Sequence, residues 1–203
     1  MNKWLVFAAT ISLATGTATA AAAGDTAAGK AGSATCAGCH GMDGNSVNPE
    51  WPNLAGQHAN YIEKQLKDFK AGKERSNASM TGMVAPLTEQ NMADLAAYFS
   101  SLPRKAGAAD KSLVDAGQKL YRGGNPATGV AACIGCHSPT GVGNPAANFP
   151  SLSGQHAKYV EIQLKAFKAG ERKNDAGKMM RSIAEKMSDA EIKAVAAYVQ
   201  GLH

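Results

Sequence analysis

The stretch Cys36-Ala37-Gly38-Cys39-His40 decides how this chain folds, and it recurs as Cys133-Ile134-Gly135-Cys136-His137. Two thiols separated by two residues and followed directly by histidine form the attachment signature of a c-type haem. In such a motif the sulfur atoms bond to the haem vinyl groups, and the histidine ligates the iron from the proximal side. We therefore predict two haem c groups, held covalently by Cys36, Cys39, Cys133 and Cys136 and ligated by His40 and His137.

Two cysteines at this spacing also occur in zinc sites, thioredoxin-like redox pairs and simple disulfides. Each of these alternatives leaves the adjacent histidine unexplained. A thioredoxin motif needs a βαβ context, which neither flank supplies. A zinc site needs two further ligands per motif, and the two motifs already use all four cysteines of the chain. Haem attachment is therefore the interpretation that the motif pair favours.

The first residues have the order of a secretory signal peptide. Lys3 precedes the apolar run Trp4 to Leu13, and small residues follow it. The run is too short to span a bilayer comfortably, and cleavage after Ala20 or Ala22 satisfies the small-x-small rule. We predict a signal peptide at residues 1–22, with a retained membrane anchor as the alternative. Because c-type haem is attached outside the cytoplasm, the expected location is the periplasm.

The composition of the chain is thin in the residues that build large cores. Aromatic residues make up 6% of the 203 residues. Each half of the chain is below the size at which an apolar core alone is comfortably stable, so a large planar cofactor can supply the missing apolar surface. No later segment reaches transmembrane length, and no polybasic run indicates a nucleic-acid partner.

The two halves of the chain form an internal repeat. The segment PNLAGQH at 52–58 aligns with PSLSGQH at 150–156, and the offset grows from 97 residues at the haem motifs to 100 near the ends. About nine extra residues in the second copy fall within 122–130. The predicted organisation is an N-terminal domain at 23–103, a linker at 104–110 and a C-terminal domain at 111–203.

Apolar residues recur at helical spacing in both copies. Ile62, Leu66 and Phe69 follow the i, i+4, i+7 pattern, and Gly72 is available as a helix stop. The second copy repeats this arrangement with Val160, Leu164, Phe167 and Gly170. The final helices have their apolar faces at Met92, Leu95, Ala96, Phe99 and Leu102, and at Ile192, Val195, Ala196, Val199 and Leu202.

The starts of the final helices also carry capping signals. Thr88 is the expected N-cap of the first, and Ser188 and Glu191 have the spacing of a capping box in the second. No stretch alternates convincingly as a strand. The predicted fold class is therefore all-α, with two tandem domains, each built around one covalently bound haem.

The sixth position on each iron decides the chemistry, because an open site binds oxygen or peroxide and a closed site mainly exchanges electrons. Among eight methionines, only Met80 aligns with another methionine, Met180, at an offset of 100 residues. We predict Met80 and Met180 as the distal iron ligands, since a lone methionine could be core filler but a repeated one is less readily explained in that way. His58 and His156 also repeat and form the competing pair. We expect a solvent-side or propionate-facing role for them.

Together these features resemble the class I cytochrome c family, present twice, and the paired arrangement resembles the diheme cytochrome c4 family. The resemblance rests on the CxxCH motifs, the Pro-x-Leu-x-Gly-Gln segments, the distal methionines and the terminal amphipathic helices, and it covers essentially the whole mature chain. It implies two cytochrome c domains related by a pseudo-twofold axis, with haem propionate edges approaching each other at the interface. It also implies that the carbonyls of Pro52 and Pro150 orient His40 and His137.

The resemblance further implies a diheme carrier that moves electrons one at a time between respiratory-chain components, toward a terminal oxidase. The implied partners are a membrane-bound respiratory complex as donor and a terminal oxidase as acceptor. We expect a monomer without a substrate-transforming site, in loose association with the periplasmic face of the membrane. Two alternatives stay open: a diheme peroxidase-like oxidoreductase in which one iron becomes vacant on activation, and a haem-containing docking subunit of a larger complex.

Overall fold

The computed structural model describes residues 23–203, so the predicted signal peptide at 1–22 lies outside the described residues. Helices α1 to α5 form a first unit, called here the N-lobe. Its helices are α1 (Thr26–Gly32), α2 (Ala34–His40), α3 (Ala59–Ala71), α4 (Ala78–Val84) and α5 (Glu89–Ser101). Helix α5 packs against both α1 and α3, and α3 also contacts α4.

Helices α6 to α10 form a second unit, the C-lobe, with the same arrangement. Its helices are α6 (Val114–Gly123), α7 (Ile134–His137), α8 (Ala157–Lys168), α9 (Met179–Ala184) and α10 (Asp189–Gln200), with a 3-10 turn at Ala176–Lys178. Helix α10 packs against α6 and α8, as α5 does in the N-lobe. Between residues 23 and 203 the only strand-like pairs are two isolated antiparallel bridges. The predicted all-α class is confirmed.

The ends of the helices follow the capping signals in the sequence. The Thr88 hydroxyl accepts a hydrogen bond from the Asn91 amide at 3.1 Å, and the Asn91 side chain accepts one from the Thr88 amide, which closes a capping box at the start of α5. Ser188 and Glu191 form the predicted capping box of α10. Gly72 ends α3 in the left-handed conformation, with φ of 66°. These caps satisfy backbone groups that a helix end otherwise leaves unpaired.

The core of each lobe lies on the inner face of its final helix, as predicted. The buried residues of α5 include Met92, Leu95, Ala96 and Phe99, and those of α10 include Ile192, Val195, Ala196 and Val199. The first helix of each lobe approaches this face through a glycine. A Cβ at Gly29 would lie 2.0 Å from the Asp94 carbonyl oxygen, and one at Gly117 would lie 2.2 Å from that of Ala194. Only glycine permits this contact, and both lobes use it at equivalent positions.

The extra residues of the C-lobe form a turn after α6. The backbone amide of Asn125 donates to the Val130 carbonyl at 2.9 Å, and the Val130 amide donates back at 3.1 Å. Just before this turn, the ring of Tyr121 is fully buried and its hydroxyl donates to the Ser138 carbonyl at 2.7 Å. The insertion therefore lies where the repeat predicted it.

The segment 104–110 that connects the lobes runs without helix along the surface where they meet. The Arg104 guanidinium donates to the Ser151 hydroxyl of the C-lobe, and the Lys105 amide donates to the Asn45 side chain of the N-lobe at 3.0 Å. The connection is thus bonded to both lobes. Across the part of the chain that the structure describes, no helix is both long and apolar enough to cross a membrane.

Candidate haem sites and the seam between the lobes

Each CxxCH motif lies at a short helix that ends at its histidine, with Cys36 and Cys39 within α2 and Cys133 at the N-cap of α7. Cys36 and Cys133 are half-buried, Cys39 and Cys136 are exposed, and none of the four is in a disulfide. Burial raises the pKa of Cys36, and it raises the pKa of Cys133 to about 11. Within residues 23–203, no group of three or more His, Cys, Asp or Glu side chains is placed to hold a metal ion.

The two histidines of the motifs are buried and oriented in the same way. His40 and His137 are each 7% exposed. The Nδ1 atom of His40 donates to the Pro52 carbonyl at 2.9 Å, and that of His137 donates to the Pro150 carbonyl at 2.9 Å. The predicted hydrogen bonds are confirmed. Because a carbonyl can only accept, each bond places the ring proton on Nδ1 and leaves the Nε2 lone pair free for a metal.

Burial also keeps these two rings in the form that binds a metal. It lowers the pKa of His40 and of His137, and the carbonyl hydrogen bond opposes this effect only in part. A neutral imidazole with a free Nε2 atom is the state that ligates iron. The donor chemistry of both motifs thus fits a haem iron.

The two aligned methionines lie on short helices, and in each lobe this helix follows the CxxCH motif in the sequence. Met80 is half-buried on α4, and its amide donates to the capping side chain of Asn77 at 3.1 Å. Met180 is half-buried on α9 and packs against the C-lobe core. Their neighbours Met83 and Met179 are 54% and 41% exposed. The repeated pair therefore faces the interior more than the adjacent methionines do.

His58 and His156 lie where the two lobes meet, and the expected solvent-side or propionate-facing role stays a prediction. Each ring is half-buried, and its Nε2 atom donates to a carbonyl of the opposite lobe. His58 contacts the Val142 oxygen at 2.7 Å, and His156 contacts the Ser46 oxygen at 2.8 Å. These two bonds were not anticipated, because the sequence shows each histidine only within its own half of the chain, whereas both bonds form only when the lobes meet.

Two glutamines, Gln57 and Gln155, form hydrogen bonds across the interface between the lobes, called here the seam. The Gln57 side chain donates to the Ser151 carbonyl at 2.8 Å and accepts from the Ser151 amide at 2.9 Å. The Gln155 side chain makes the same two bonds to the Asn53 backbone, each at 2.9 Å. All four residues are buried. Their only signal in the sequence is the repeated Gly-Gln-His, and the reciprocal bonds display the pseudo-twofold relation between the lobes.

A pair of arginines occupies a second part of the seam. Arg75 of the N-lobe donates to the Tyr159 hydroxyl of the C-lobe at 2.8 Å. Arg172 of the C-lobe donates to the Tyr61 hydroxyl of the N-lobe at 2.8 Å. The two arginines are 6% and 7% exposed. Each lobe therefore inserts one guanidinium group into the other.

The arginine pair carries more positive charge than the surrounding protein neutralises. Among the described residues that hydrogen-bond within this cluster, Asp68 is the carboxylate, and it contacts Lys64 at 2.5 Å and Asn174 at 2.6 Å. Two buried guanidinium groups and one lysine thus face one carboxylate. Because buried charges are normally paired, this excess positive charge favours the binding of further anions. A haem c carries two carboxylates, and this chemistry fits the cluster.

Comparison with known proteins agrees with the geometry. The cytochrome c family model matches residues 22–103 and 114–203. The chain is 52% identical over 213 residues to cytochrome c4 of Azotobacter vinelandii, with all of both chains covered. It is 40% identical over 175 residues to a thiosulfate dehydrogenase electron acceptor of Thiomonas intermedia, covering 82% of this chain and 77% of that protein. The crystal structure of reduced recombinant cytochrome c4 from Pseudomonas stutzeri superimposes with a TM-score of 0.87 at 48% identity, covering 89% of this chain and 100% of that one.

Proposed function

The chain belongs to the cytochrome c4 family of diheme electron-transfer proteins, and we propose that it carries electrons one at a time between components of a respiratory chain. Proteins of this family hold two covalently bound haem c groups, in agreement with the two matched domains. The observation that carries the proposal is the pair of buried histidines, each held by a carbonyl with its Nε2 atom free. The domain boundaries that we propose are 23–103 and 111–203, joined by 104–110.

The residues proposed to hold the haems follow from the motifs and the repeat. Covalent attachment is assigned to Cys36, Cys39, Cys133 and Cys136, and axial ligation to His40 and Met80 in the N-lobe and to His137 and Met180 in the C-lobe. When bound, a haem supplies a one-electron couple at its iron. The thioether of methionine is a neutral, soft donor that favours the ferrous state relative to a second imidazole. We therefore expect comparatively high reduction potentials at both sites.

The protein's own contribution is to position the axial side chains. The Pro52 and Pro150 carbonyls accept hydrogen bonds from the two imidazoles. The Asn77 cap of α4 accepts from the Met80 amide, and Met180 packs against the C-lobe core. An iron closed on both sides has no position for a substrate. We therefore propose a carrier and not an enzyme, in contrast to the peroxidase-like alternative, which requires one iron to become vacant.

The partners are redox proteins, and their identity is part of the proposal. We propose a membrane-bound respiratory complex as donor and a terminal oxidase as acceptor, with the chain acting as a monomer in the periplasm and in loose contact with the membrane face. The signal-like order of residues 1–22 supports export. The C-lobe has a net charge of +4 over 110–203, which would steer an acidic docking surface toward it.

A haem count with an optical spectrum tests the assignment. A pyridine haemochrome assay on the purified protein is expected to give two haems of c type per chain. The spectrum of the oxidised protein is expected to contain the methionine-to-iron charge-transfer band at an intensity that corresponds to both sites. One haem per chain, or a band corresponding to one site, would contradict the proposed pair of His/Met irons.

A further inference from the structure

The carbonyl that holds His40 belongs to a peptide group that also bonds to the opposite lobe. His40 Nδ1 donates to the Pro52 oxygen at 2.9 Å. The nitrogen of the same peptide group is that of Asn53, and its N–H donates to the Gln155 Oε1 atom of the C-lobe at 2.9 Å. One planar peptide unit therefore connects the N-lobe histidine to a C-lobe glutamine.

The C-lobe contains the mirror arrangement. His137 Nδ1 donates to the Pro150 oxygen at 2.9 Å, and the N–H of the same peptide group, which belongs to Ser151, donates to the Gln57 Oε1 atom at 2.9 Å. Each proximal histidine is thus two hydrogen bonds away from a glutamine of the other lobe. The same two hydrogen bonds therefore occur in both directions across the seam, as the pseudo-twofold relation between the lobes requires.

The side-chain amides of the two glutamines have one orientation only. The Gln155 Nε2 atom donates to the Asn53 carbonyl, and the Gln57 Nε2 atom donates to the Ser151 carbonyl, so each Oε1 atom is the one left to accept from the peptide N–H. Both glutamines are 7% exposed. The two side chains are therefore largely shielded from water, and a hydrogen bond in such surroundings is electrostatically stronger than in water.

The bonds at the two ends of a peptide group strengthen each other. Resonance along the peptide unit moves electron density from nitrogen to oxygen, and a hydrogen bond accepted from the N–H increases that shift. The Pro52 oxygen then accepts more strongly from His40 Nδ1. A stronger bond at Nδ1 makes the imidazole a more basic ligand at Nε2 and thereby stabilises the ferric state.

We infer that Gln155 is a positioning residue for His40 and that Gln57 is one for His137, so that each lobe sets the ligand strength of the other lobe's axial imidazole. The inference rests on the proposed function only in taking the two histidines as iron ligands. It deepens that function, because the potential of each haem then depends on contact between the lobes. It also predicts a crossed pattern, in which a residue acts on the haem that its own lobe does not hold.

Each glutamine also has a local bond that supplies the competing explanation. Gln155 Oε1 accepts from the amide of His156 at 3.1 Å, and Gln57 Oε1 accepts from the amide of His58 at 3.0 Å. If these local bonds were what mattered, a glutamine variant would alter the haem of its own lobe. The identity of the haem that responds therefore separates the two explanations.

The test is a redox titration of the intact holoprotein, resolved for each haem by the NMR shifts of its methyl groups. Gln155→Leu is expected to raise the equilibrium constant for reduction of the N-lobe haem by roughly threefold, which is about 28 mV at 59 mV per tenfold. The C-lobe haem is expected to stay unchanged. Gln57→Leu is expected to raise the potential of the C-lobe haem and to leave the N-lobe haem unchanged. In each variant the NMR signal of the Nδ1 proton of the affected histidine is expected to move upfield, because its hydrogen bond weakens.

The shorter amide in Gln155→Asn and Gln57→Asn keeps a polar side chain but does not reach the peptide N–H. If the leucine variants do not fold, these asparagine variants take their place in the redox titration. Each is expected to raise the potential of the haem in the opposite lobe. The matched control is Asn60→Ala, which removes another cross-lobe bond, from Asn60 Nδ2 to the Pro145 carbonyl at 2.6 Å, without touching either peptide. It is expected to shift neither haem. A shift confined to the haem of the substituted lobe, equal shifts at both haems, or no shift in any glutamine variant would overturn the inference.

Discussion

Arg172 of the C-lobe donates a hydrogen bond to the hydroxyl of Tyr61 in the N-lobe at 2.8 Å, although 111 residues of chain separate them. The same guanidinium group donates to Gln163 at 2.8 Å and stacks on the Phe167 ring at 4.4 Å from its centroid. A cation in this position orders side chains from both lobes at once. The seam therefore depends on charged groups held in a buried polar cluster.

Replacing Arg172 is expected to weaken the seam. Arg172→Met leaves the Tyr61 hydroxyl without its donor and leaves Gln163 with only the longer bond from Arg75 at 3.3 Å. A buried polar group left unpaired costs about 1 to 3 kcal/mol. Thermal unfolding of the holoprotein, followed by circular dichroism, is expected to begin at a lower temperature. The adjacent exposed residue supplies the control, since Lys173→Met is expected to change the free energy of unfolding by less than about 0.5 kcal/mol. Equal unfolding curves for the two variants would contradict this role.

Replacing either aligned methionine is expected to open one iron. Met80→Ala removes the proposed distal ligand of the N-lobe haem, lowers that haem's reduction potential and leaves both thioether links intact. Met180→Ala is expected to do the same in the C-lobe, with the other haem remaining low-spin in each case. Optical spectra and redox titration measure both effects.

Two further variants control the methionine prediction. Met83 is 54% exposed, and the His58 ring is bonded to the opposite lobe. Neither Met83→Ala nor His58→Ala is therefore expected to open an iron. The ligand assignment fails if one of these variants produces a high-spin haem and Met80→Ala does not.

The glycines between the first and last helix of each lobe are expected to be intolerant of substitution. Gly29→Ala would place a methyl group 2.0 Å from a backbone oxygen, so the helices must move apart. Overpacking of this kind typically costs about 1 to 3 kcal/mol. In contrast, Gly123→Ala meets no atom within 4 Å and is expected to be neutral or stabilising. Chemical denaturation of the two variants compares them directly, and similar midpoints would show that α1 and α5 are not in close contact.

The unequal charge of the lobes predicts unequal potentials. Residues 24–103 carry a net charge of −2, whereas residues 110–203 carry +4. Since oxidation adds positive charge at iron, the more cationic C-lobe disfavours the ferric state. A charge at about 12 Å in a dielectric of about 80 contributes roughly 0.35 kcal/mol before screening. After screening over about 8 to 10 Å, the expected gap is on the order of tens of millivolts.

Electrons are therefore expected to rest on the C-lobe haem. A haem-resolved redox titration of the intact protein measures the order of the two potentials, and repeating it at high salt should narrow the gap. A higher potential at the N-lobe haem would show that local hydrogen bonds or haem exposure dominate over net charge.

The features that could be predicted from the sequence are those carried by nearby residues. The CxxCH motifs, the capping box at Ser188, the stop at Gly72 and the apolar face of α5 each depend on residues within a few turns of one another. The repeat extended this local information, because it identified Met80 and Met180 as an aligned pair. Fold class could therefore be anticipated from the residues, and the carbonyl bonds that orient the proximal histidines were implied by the family resemblance.

The resemblance implied that the two domains meet, but the contacts of the seam could not be anticipated, because they join residues that are distant in sequence. His58 finds its acceptor at Val142, and Gln57 pairs with the backbone of Ser151, 94 positions away. The repeat drew attention to His58 and not to Gln57, and a repeated residue shows the same pattern whether it faces solvent, haem or another lobe. Only the docking of the two lobes determines which of these environments each side chain enters.

The central claim is that both irons are closed by a histidine and a methionine and therefore exchange electrons only. Addition of carbon monoxide to the fully reduced protein at neutral pH tests this claim most directly, with the optical spectrum as the readout. Carbon monoxide binds a ferrous haem that has an open or easily vacated position. The account predicts that the spectrum stays unchanged at both haems, whereas prompt, stoichiometric binding to one haem would contradict it and favour the peroxidase-like alternative.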